Sequence, residues 1–153
     1  MDYTPVTFSD ALYPHVTTNA HELALSVIFT TGVQHFADSV GSYAALPAAP
    51  KAFLKQVPVA WDDTRVLDGD PGTSLTVARR ADAAWYVAGL NADAPRSARV
   101  SLSFLGPGPW QMTLIADGAT DREFAGRVAT VSAKDIIDVP MRPRGGWVMA
   151  IRH

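Results

Sequence analysis

The hydrophobic pattern of this chain changes its period near residue 63, and that change most limits the folds available to it. Before this point the apolar residues form helix-like runs, the longest of which spans residues 23–29. After it, apolar and polar residues alternate, as they do over residues 110–114. A period of two places every second side chain on one face of a strand. The chain therefore divides into a helical first part and a β-rich second part.

The second part contains several short alternating segments separated by turn residues. A further strand is expected to begin near Thr64. The alternating segments are residues 75–78, 85–90, 100–104, 110–114, 128–131, 136–139 and 147–151. Gly, Pro and Asp cluster between them, for example at residues 69–72 and 106–109. Strands at a spacing of roughly 8–12 residues with such turns are typical of an antiparallel sandwich. The pattern predicts a β-sandwich of about seven or eight strands.

The hydrophobic pattern of the first part predicts a helix, a short strand and a second helix. Asn19 stands three residues before Glu22, which is the spacing of a capping box, and Gly32 is a suitable residue for the end of this helix. The helix is apolar on nearly every side, so it needs burial on more than one face. Residues 33–37 predict a short strand, and residues 47–56 a second helix that Pro58 ends.

Composition excludes several classes of function. Thirteen basic residues against fifteen acidic ones give a net charge of −2, which offers no basic field for a nucleic acid or an anionic membrane. The chain has no cysteine, so disulfides, thiolate catalysis and cysteine-ligated metals are excluded. No apolar run reaches the ~18 residues of a membrane span. The first residues have no signal-peptide pattern, and the location is left open.

The sequence contains no recognisable active-site motif. The histidines are not paired at helical spacing, and neither a zinc-binding HExxH nor a nucleophile-elbow GxSxG occurs. The carboxylate pairs Asp62–Asp63 and Asp68–Asp70 lie where solvated turns are expected. Tryptophan is the residue most suited to stacking on a sugar, but three of the four tryptophans lie in alternating strands, which favours a core position. Trp61 is expected to be partly exposed.

Ordered blocks along the whole chain carry a more specific signal. Together they resemble the C-terminal part of glycoside hydrolase family 97, a family of α-glucosidases and α-galactosidases. The blocks are residues 1–5, 17–25, 32–38, 53–58, 61–67, 78–80, 85–89, 102–105 and 144–147. This resemblance implies a larger enzyme with an N-terminal β-sandwich, a catalytic (β/α)8 barrel and a small C-terminal β-sandwich.

The resemblance implies two domains in this chain. Residues 1–62 would be the end of the barrel: helix seven at residues 18–31, strand eight at 33–37 and helix eight at 47–56. Residues 63–153 would be the C-terminal sandwich. The fold class implied is mainly β, an antiparallel sandwich preceded by a helix–strand–helix remnant of the barrel.

The resemblance places the family's catalytic carboxylates and calcium ligands upstream of Met1. We therefore expect no catalytic residue, metal site or cofactor within this chain. Barrel active sites lie at the carboxyl ends of the strands. By that rule Asp2, Tyr3 and Asp38 are expected near the substrate rim of the intact enzyme, with a loop cap or turn as the alternative role of each.

The implied function is that of a C-terminal piece of an α-glycosidase, with a structural and oligomerisation role and no activity alone. Its expected partner is the rest of the enzyme, with an oligosaccharide as a further candidate and a periplasmic or secreted location consistent with the parent. A stand-alone carbohydrate-binding or protein-interaction sandwich is the alternative, and a free-standing small enzyme is the third possibility.

The apolar first helix has a physical consequence. Separated from a barrel, its large apolar side chains would form an exposed surface of the kind that marks an interface. We therefore expect self-association through residues 18–57, or packing of this segment onto the sandwich.

Overall fold

The computed structural model describes residues 6–10 and 14–153. Its helices are α1 (Asn19–Ile28), α2 (Val40–Ala45) and α3 (Ala48–Leu54). Its strands are β1 (Asp63–Asp70), β2 (Ser74–Ala81), β3 (Ala84–Asn91), β4 (Arg96–Ser101), β5 (Trp110–Asp117), β6 (Phe124–Val131), β7 (Ile136–Met141) and β8 (Gly146–Arg152). No helix of the described residues is long and apolar enough to span a membrane.

The eight strands form two antiparallel sheets. The larger has the order β1-β2-β3-β8-β5-β6, and the smaller pairs β4 with β7. Each strand of the large sheet runs antiparallel to its neighbours, with one register shift, in β1 between Val66 and Asp68. The predicted sandwich of seven or eight strands is confirmed, and all eight strands lie in the part that the alternating pattern indicated.

The central strands of the large sheet are covered on both faces. One face packs against the β4–β7 sheet through side chains that include Trp85, Val87 and Trp147. The opposite face carries the residues between them in sequence, such as Tyr86 and Val148, and these pack against the helices. Because β3 and β8 are buried on both sides, they are nearly continuous apolar runs, whereas burial alternates along β7 and over residues 97–101 of β4.

Helix α1 lies against the outer face of the sheet, over β3, β8 and β5. Leu23 and Val27 are fully buried in the cluster beneath it, and Leu25 is also buried. Of the two expectations for this apolar helix, packing onto the sandwich is the one observed. The predicted division into residues 1–62 and 63–153 stays a prediction: β1 begins at Asp63, but the helices share a core with the sheet.

The limits of α1 differ from those expected. Its N-cap is Thr18, whose side-chain oxygen accepts a hydrogen bond from the backbone N–H of His21, so Asn19 is the first helical residue. Glu22 accepts from the hydroxyl of Thr17 and does not complete a capping box. The helix ends at Ile28, before the predicted end near Gly32. A threonine caps a helix through the same geometry as an asparagine, so the signal was right in kind and displaced by one residue.

Residues 33–37 do not form the predicted strand, and only Gln34 makes an isolated bridge. An extended segment needs a neighbouring strand for its hydrogen bonds, and none flanks this segment among the described residues. The following helix α2 was not predicted, and none of its residues is buried. The predicted second helix is confirmed as α3, in a form shorter than residues 47–56.

Candidate functional site

Asp38 is the one predicted rim residue that the structure describes; Asp2 and Tyr3 lie outside the described residues. Its carboxylate accepts hydrogen bonds from the backbone N–H groups of Phe8, Ser9 and Ser39, at 2.8, 2.8 and 2.7 Å. The hydroxyls of Ser9 and Ser42 also donate to it, at 2.8 and 2.7 Å. Asp38 therefore joins the segment before α1 to the start of α2.

These donors stabilise the ionised form of Asp38. Partial burial alone would raise the pKa of this carboxyl, but the hydrogen bonds from Ser42, Phe8, Ser39 and Ser9 outweigh it and hold the pKa well below its usual range. The geometry is that of a loop cap. A role at a substrate rim stays a prediction for Asp38, as it does for Asp2 and Tyr3.

We expect Asp38→Asn to destabilise the chain at neutral pH by about 2 kcal/mol, because hydrogen bonds to a charged acceptor are lost. A depressed pKa contributes stability above the unfolded value, near 3.8, and that contribution is lost as the pH falls through the folded value. The difference between wild type and variant should therefore shrink below about pH 4. Urea unfolding from neutral to acid pH measures it, with Asp93→Asn as the exposed-carboxylate control. A difference independent of pH would contradict the assignment.

A polar cluster, here called the helix anchor, fixes the start of α1 to the sandwich. It comprises Thr18, Asn19, His21, Asp117 and Gly145. The Thr18 hydroxyl donates to Asp117 at 2.5 Å, and the backbone N–H of Thr18 donates to the carbonyl of residue 144 at 3.2 Å. Asn19 donates from its backbone to the carbonyl of residue 121 at 2.8 Å. Both loops that hold the helix therefore belong to the sandwich, after β5 and after β7.

Two titratable groups of the helix anchor are shielded from water. Burial raises the pKa of Asp117, opposed by the hydrogen bonds that Thr18 and the Arg142 backbone donate to it. Burial lowers the pKa of His21, whose Nδ1 lies 3.2 Å from the carbonyl oxygen of Gly145. Each side chain is occupied by contacts within the chain, which favours a structural role over acid–base chemistry.

Arg122, in the loop after β5, holds the segment before α1. Its Nε and Nη2 donate to the two carboxylate oxygens of Asp10 at 2.8 and 2.9 Å, a bidentate pair. Its Nη1 donates to the carbonyl of Thr17 at 2.9 Å, and Nη2 to that of His15 at 2.7 Å. One guanidinium thus contacts Asp10, His15 and Thr17, and its hydrogen bond to Asp10 lowers the pKa of that carboxyl.

The sequence singled out neither Arg122 nor Asp117 as important. A signal existed: Asp117 is the last residue of β5 and directly follows the apolar residues 114–116, where an acidic residue must find donors. Among the described residues, no cluster of three histidine or acidic side chains has the geometry to hold a metal ion.

The tryptophans lie where the alternation placed them. Trp147, Trp85 and Trp110 are buried in the core between the sheets, and Trp61 is half-buried. The ring of Trp61 packs edge-on against Tyr86, with centroids 5.5 Å apart, and the Arg79 guanidinium lies 5.8 Å from it. Three of the four therefore present no open ring face of the kind that stacks on a sugar, and the ring of Trp61 is partly covered.

Two of the surface clefts are lined mainly by apolar atoms. One, of about 490 Å³, lies between the β1–β2 turn and His21 and is mainly apolar. The other, of about 460 Å³, lies between α2 and α3 and includes Phe36 and Val40. Val40 is 87% exposed and Val33 56% exposed. Residues 33–40 with this second cleft form an exposed apolar surface on the helical side of the molecule.

Comparison with known proteins identifies relatives of the whole chain. Residues 60–152 match the family model described as "Glycosyl-hydrolase 97 C-terminal, oligomerisation". A probable retaining α-galactosidase of Streptomyces bingchenggensis is 39% identical over 153 residues, all of this chain and 24% of that protein. The retaining α-galactosidase of Bacteroides thetaiotaomicron is 30% identical over 139 residues, 88% of this chain and 21% of that protein. The chain thus spans about a quarter of the length of these curated relatives.

A solved structure matches the complete fold. It is a glycoside hydrolase family 97 enzyme from Pseudoalteromonas sp. strain K8, in complex with panose, with a TM-score of 0.93 and 25% sequence identity. The match covers 99% of this chain and 26% of that enzyme. It therefore includes the helices as well as the sandwich, in one arrangement.

Proposed function

Since the chain belongs to glycoside hydrolase family 97 and matches the C-terminal part of its enzymes, we propose that it forms part of a larger α-glycosidase and supplies none of the reacting groups. The observation that carries the proposal is the match of helices and sandwich together to about a quarter of one family 97 enzyme. A module that acted alone would need its own site, whereas the polar clusters described above are occupied by contacts within the chain.

The substrate class follows from the relatives. Two of them are named as retaining α-galactosidases, one as a probable one, so we propose α-galactosides for the whole enzyme, with α-glucosides as the alternative. Glycosidases of either stereochemistry generally need two carboxyl groups beside the scissile bond. In the proposal both come from outside this chain, as do the ligands of any calcium ion.

The helical side would contact the rest of the enzyme. Its support is the exposed apolar surface of residues 33–40, since contiguous apolar patches of this kind mark interaction sites. Arg122 would then hold Asp10, His15 and Thr17 in a fixed position beside the catalytic part, and Asp38 would do the same for residues 8–9. The sandwich would then have an indirect role, because it positions the segment that the resemblance assigns to the barrel rim. Asp2 and Tyr3 would also lie at this rim.

A carbohydrate-binding module is the weaker alternative. Sugar-binding sandwiches use an aromatic ring with a free face, but three tryptophans of this chain are buried and Trp61 is partly covered by Tyr86 and Arg79. Titration with malto-oligosaccharides and galacto-oligosaccharides, followed by tryptophan fluorescence, is expected to show no saturable shift. A saturable shift would restore this alternative.

A chimera tests the proposed function. We expect the chain alone, with calcium, to give no turnover of aryl α-galactosides or α-glucosides. Replacing the matching 153 residues of the Streptomyces relative by this chain should keep that protein's hydrolytic activity within about tenfold, while deleting them should abolish it. Turnover by the chain alone would overturn the non-catalytic assignment. An inactive but folded chimera would show that the chain does not complete such an enzyme.

A further inference from the structure

The two outer edges of the large sheet differ in how they are protected. At the first edge, β1 has a register shift between Val66 and Asp68 and carries four charged residues in eight: Asp63, Arg65, Asp68 and Asp70. Bulges and charges are the devices by which natural sheets prevent pairing with another chain. These features therefore disfavour pairing of the free β1 edge with a strand of another chain.

The opposite edge, β6, has none of these devices. Its eight residues pair with β5 in an unbroken register from Phe124 to Val131, and Arg127 is its single charged residue. Among the described residues, no strand lies on its outer side, and no other main-chain group bonds to its backbone there. Val128, in its middle, is 71% exposed. An apolar, regular and open edge of this length is a template for another strand.

We propose that β6 is the surface through which two copies of this chain associate, pairing edge to edge so that their large sheets become continuous. This inference rests on the proposed function, because it names the surface for the oligomerisation that the family description records. The partner is a second copy of this chain because the β6 edge is self-complementary.

Symmetry determines which registers are possible. Two copies related by a two-fold axis pair antiparallel, and opposed residues must point to the same side of the sheet, so one residue of β6 opposes itself. An axis at Arg127 would oppose two guanidinium groups. An axis at Val128 instead brings the two exposed valines together, with Arg127 opposite Ala129 and Gly126 opposite Thr130. No like charges then meet, and the exposed valines are covered.

The test compares one substitution at each edge. Val128→Lys would place two ammonium groups opposite each other at the axis, and we expect the dimer dissociation constant to rise about tenfold or more. Val66→Lys is the matched control, because Val66 is 68% exposed on the β1 edge, nearly as open as Val128. Sedimentation velocity over a range of concentrations gives the association of the full chain. Thermal unfolding checks that both variants remain folded.

Hydrogen exchange supplies a second measurement that does not depend on a variant. The amides of β6 should become more protected as the concentration of wild-type chain rises, and those of β1 should not. If Val128→Lys leaves the wild-type oligomer intact, or if Val66→Lys dissociates it, the assignment to β6 is wrong. The proposed function would not be affected by that result. A wild-type chain that stays monomeric up to hundreds of micromolar would overturn this inference together with the oligomerisation part of the proposed function, while the chimera still tests the rest.

Discussion

Gly89→Ala is expected to destabilise the chain by about 3 kcal/mol or more, the upper end of the range for overpacking a core. Gly89 of β3 lies directly opposite Trp147 of β8, and the indole ring crosses over the glycine. A Cβ at residue 89 would lie 2.4 Å from two ring atoms, Cε2 and Nε1, where atoms cannot coexist. Trp147 is fully buried, so its rigid ring has no room to move. Thermal unfolding should show a midpoint lowered by roughly 6–12 °C.

Gly126→Ala is the matched control in the same sheet. A Cβ at residue 126 would meet only the Leu114 carbonyl oxygen at 3.8 Å, an ordinary contact, so stability should stay within about 1 kcal/mol of wild type. Where Gly89→Ala does not fold, the double variant Gly89→Ala/Trp147→Phe decides the cause. The indole N–H of Trp147 has no hydrogen-bond partner among the described residues, so phenylalanine sacrifices no bond while freeing space. A double variant no more stable than Gly89→Ala would contradict the steric explanation.

The β part of the fold followed from sequence because its signal is local. Alternation along each segment predicts which side chains face a core, and the buried positions of β4 and β7 follow it closely. The six-plus-two division of the strands was not accessible in this way. β3 and β8 are buried on both faces, and only the covering helices explain why.

The helical part was harder to predict because its position depends on contacts between residues that are far apart in the sequence. Helix α2 has no buried residue and so shows no periodic apolar stripe, and it begins where the Ser39 hydroxyl accepts from the Ser42 backbone. The Arg122–Asp10 pair joins positions 112 residues apart, and the Thr18–Asp117 bond joins positions 99 apart. No pattern in one sequence reveals such pairs. The resemblance over the whole chain was informative for the same reason, because it implies how the helices pack on the sandwich.

Asp117→Ala is expected to release the helical layer from the sandwich. The substitution removes the acceptor of the Thr18 hydroxyl and of the Arg142 backbone N–H, which donates at 2.8 Å. Thr18 is only 1% exposed, so water cannot readily replace the lost partner. Leaving two shielded donors unpaired costs about 3 kcal/mol, which corresponds to a midpoint lowered by roughly 6–12 °C at this chain length.

A local measurement separates release of the helices from general unfolding. Lys51 and Lys55, in α3 and just after it, should be cleaved by trypsin faster in Asp117→Ala, because α1 and α3 share the core that the helix anchor holds in place. Asp121→Ala is the matched control: its carboxylate pairs with Arg142 at the surface, its side chain is 45% exposed, and it should cost less than about 1 kcal/mol. Equal losses in the two variants would show that the contact of Thr18 with Asp117 is not what couples the helices to the sheet. A large loss in Asp117→Ala alone would mean that one half-buried carboxylate keeps the helical layer aligned with the sandwich, which is the coupling that the proposed role in a larger enzyme requires.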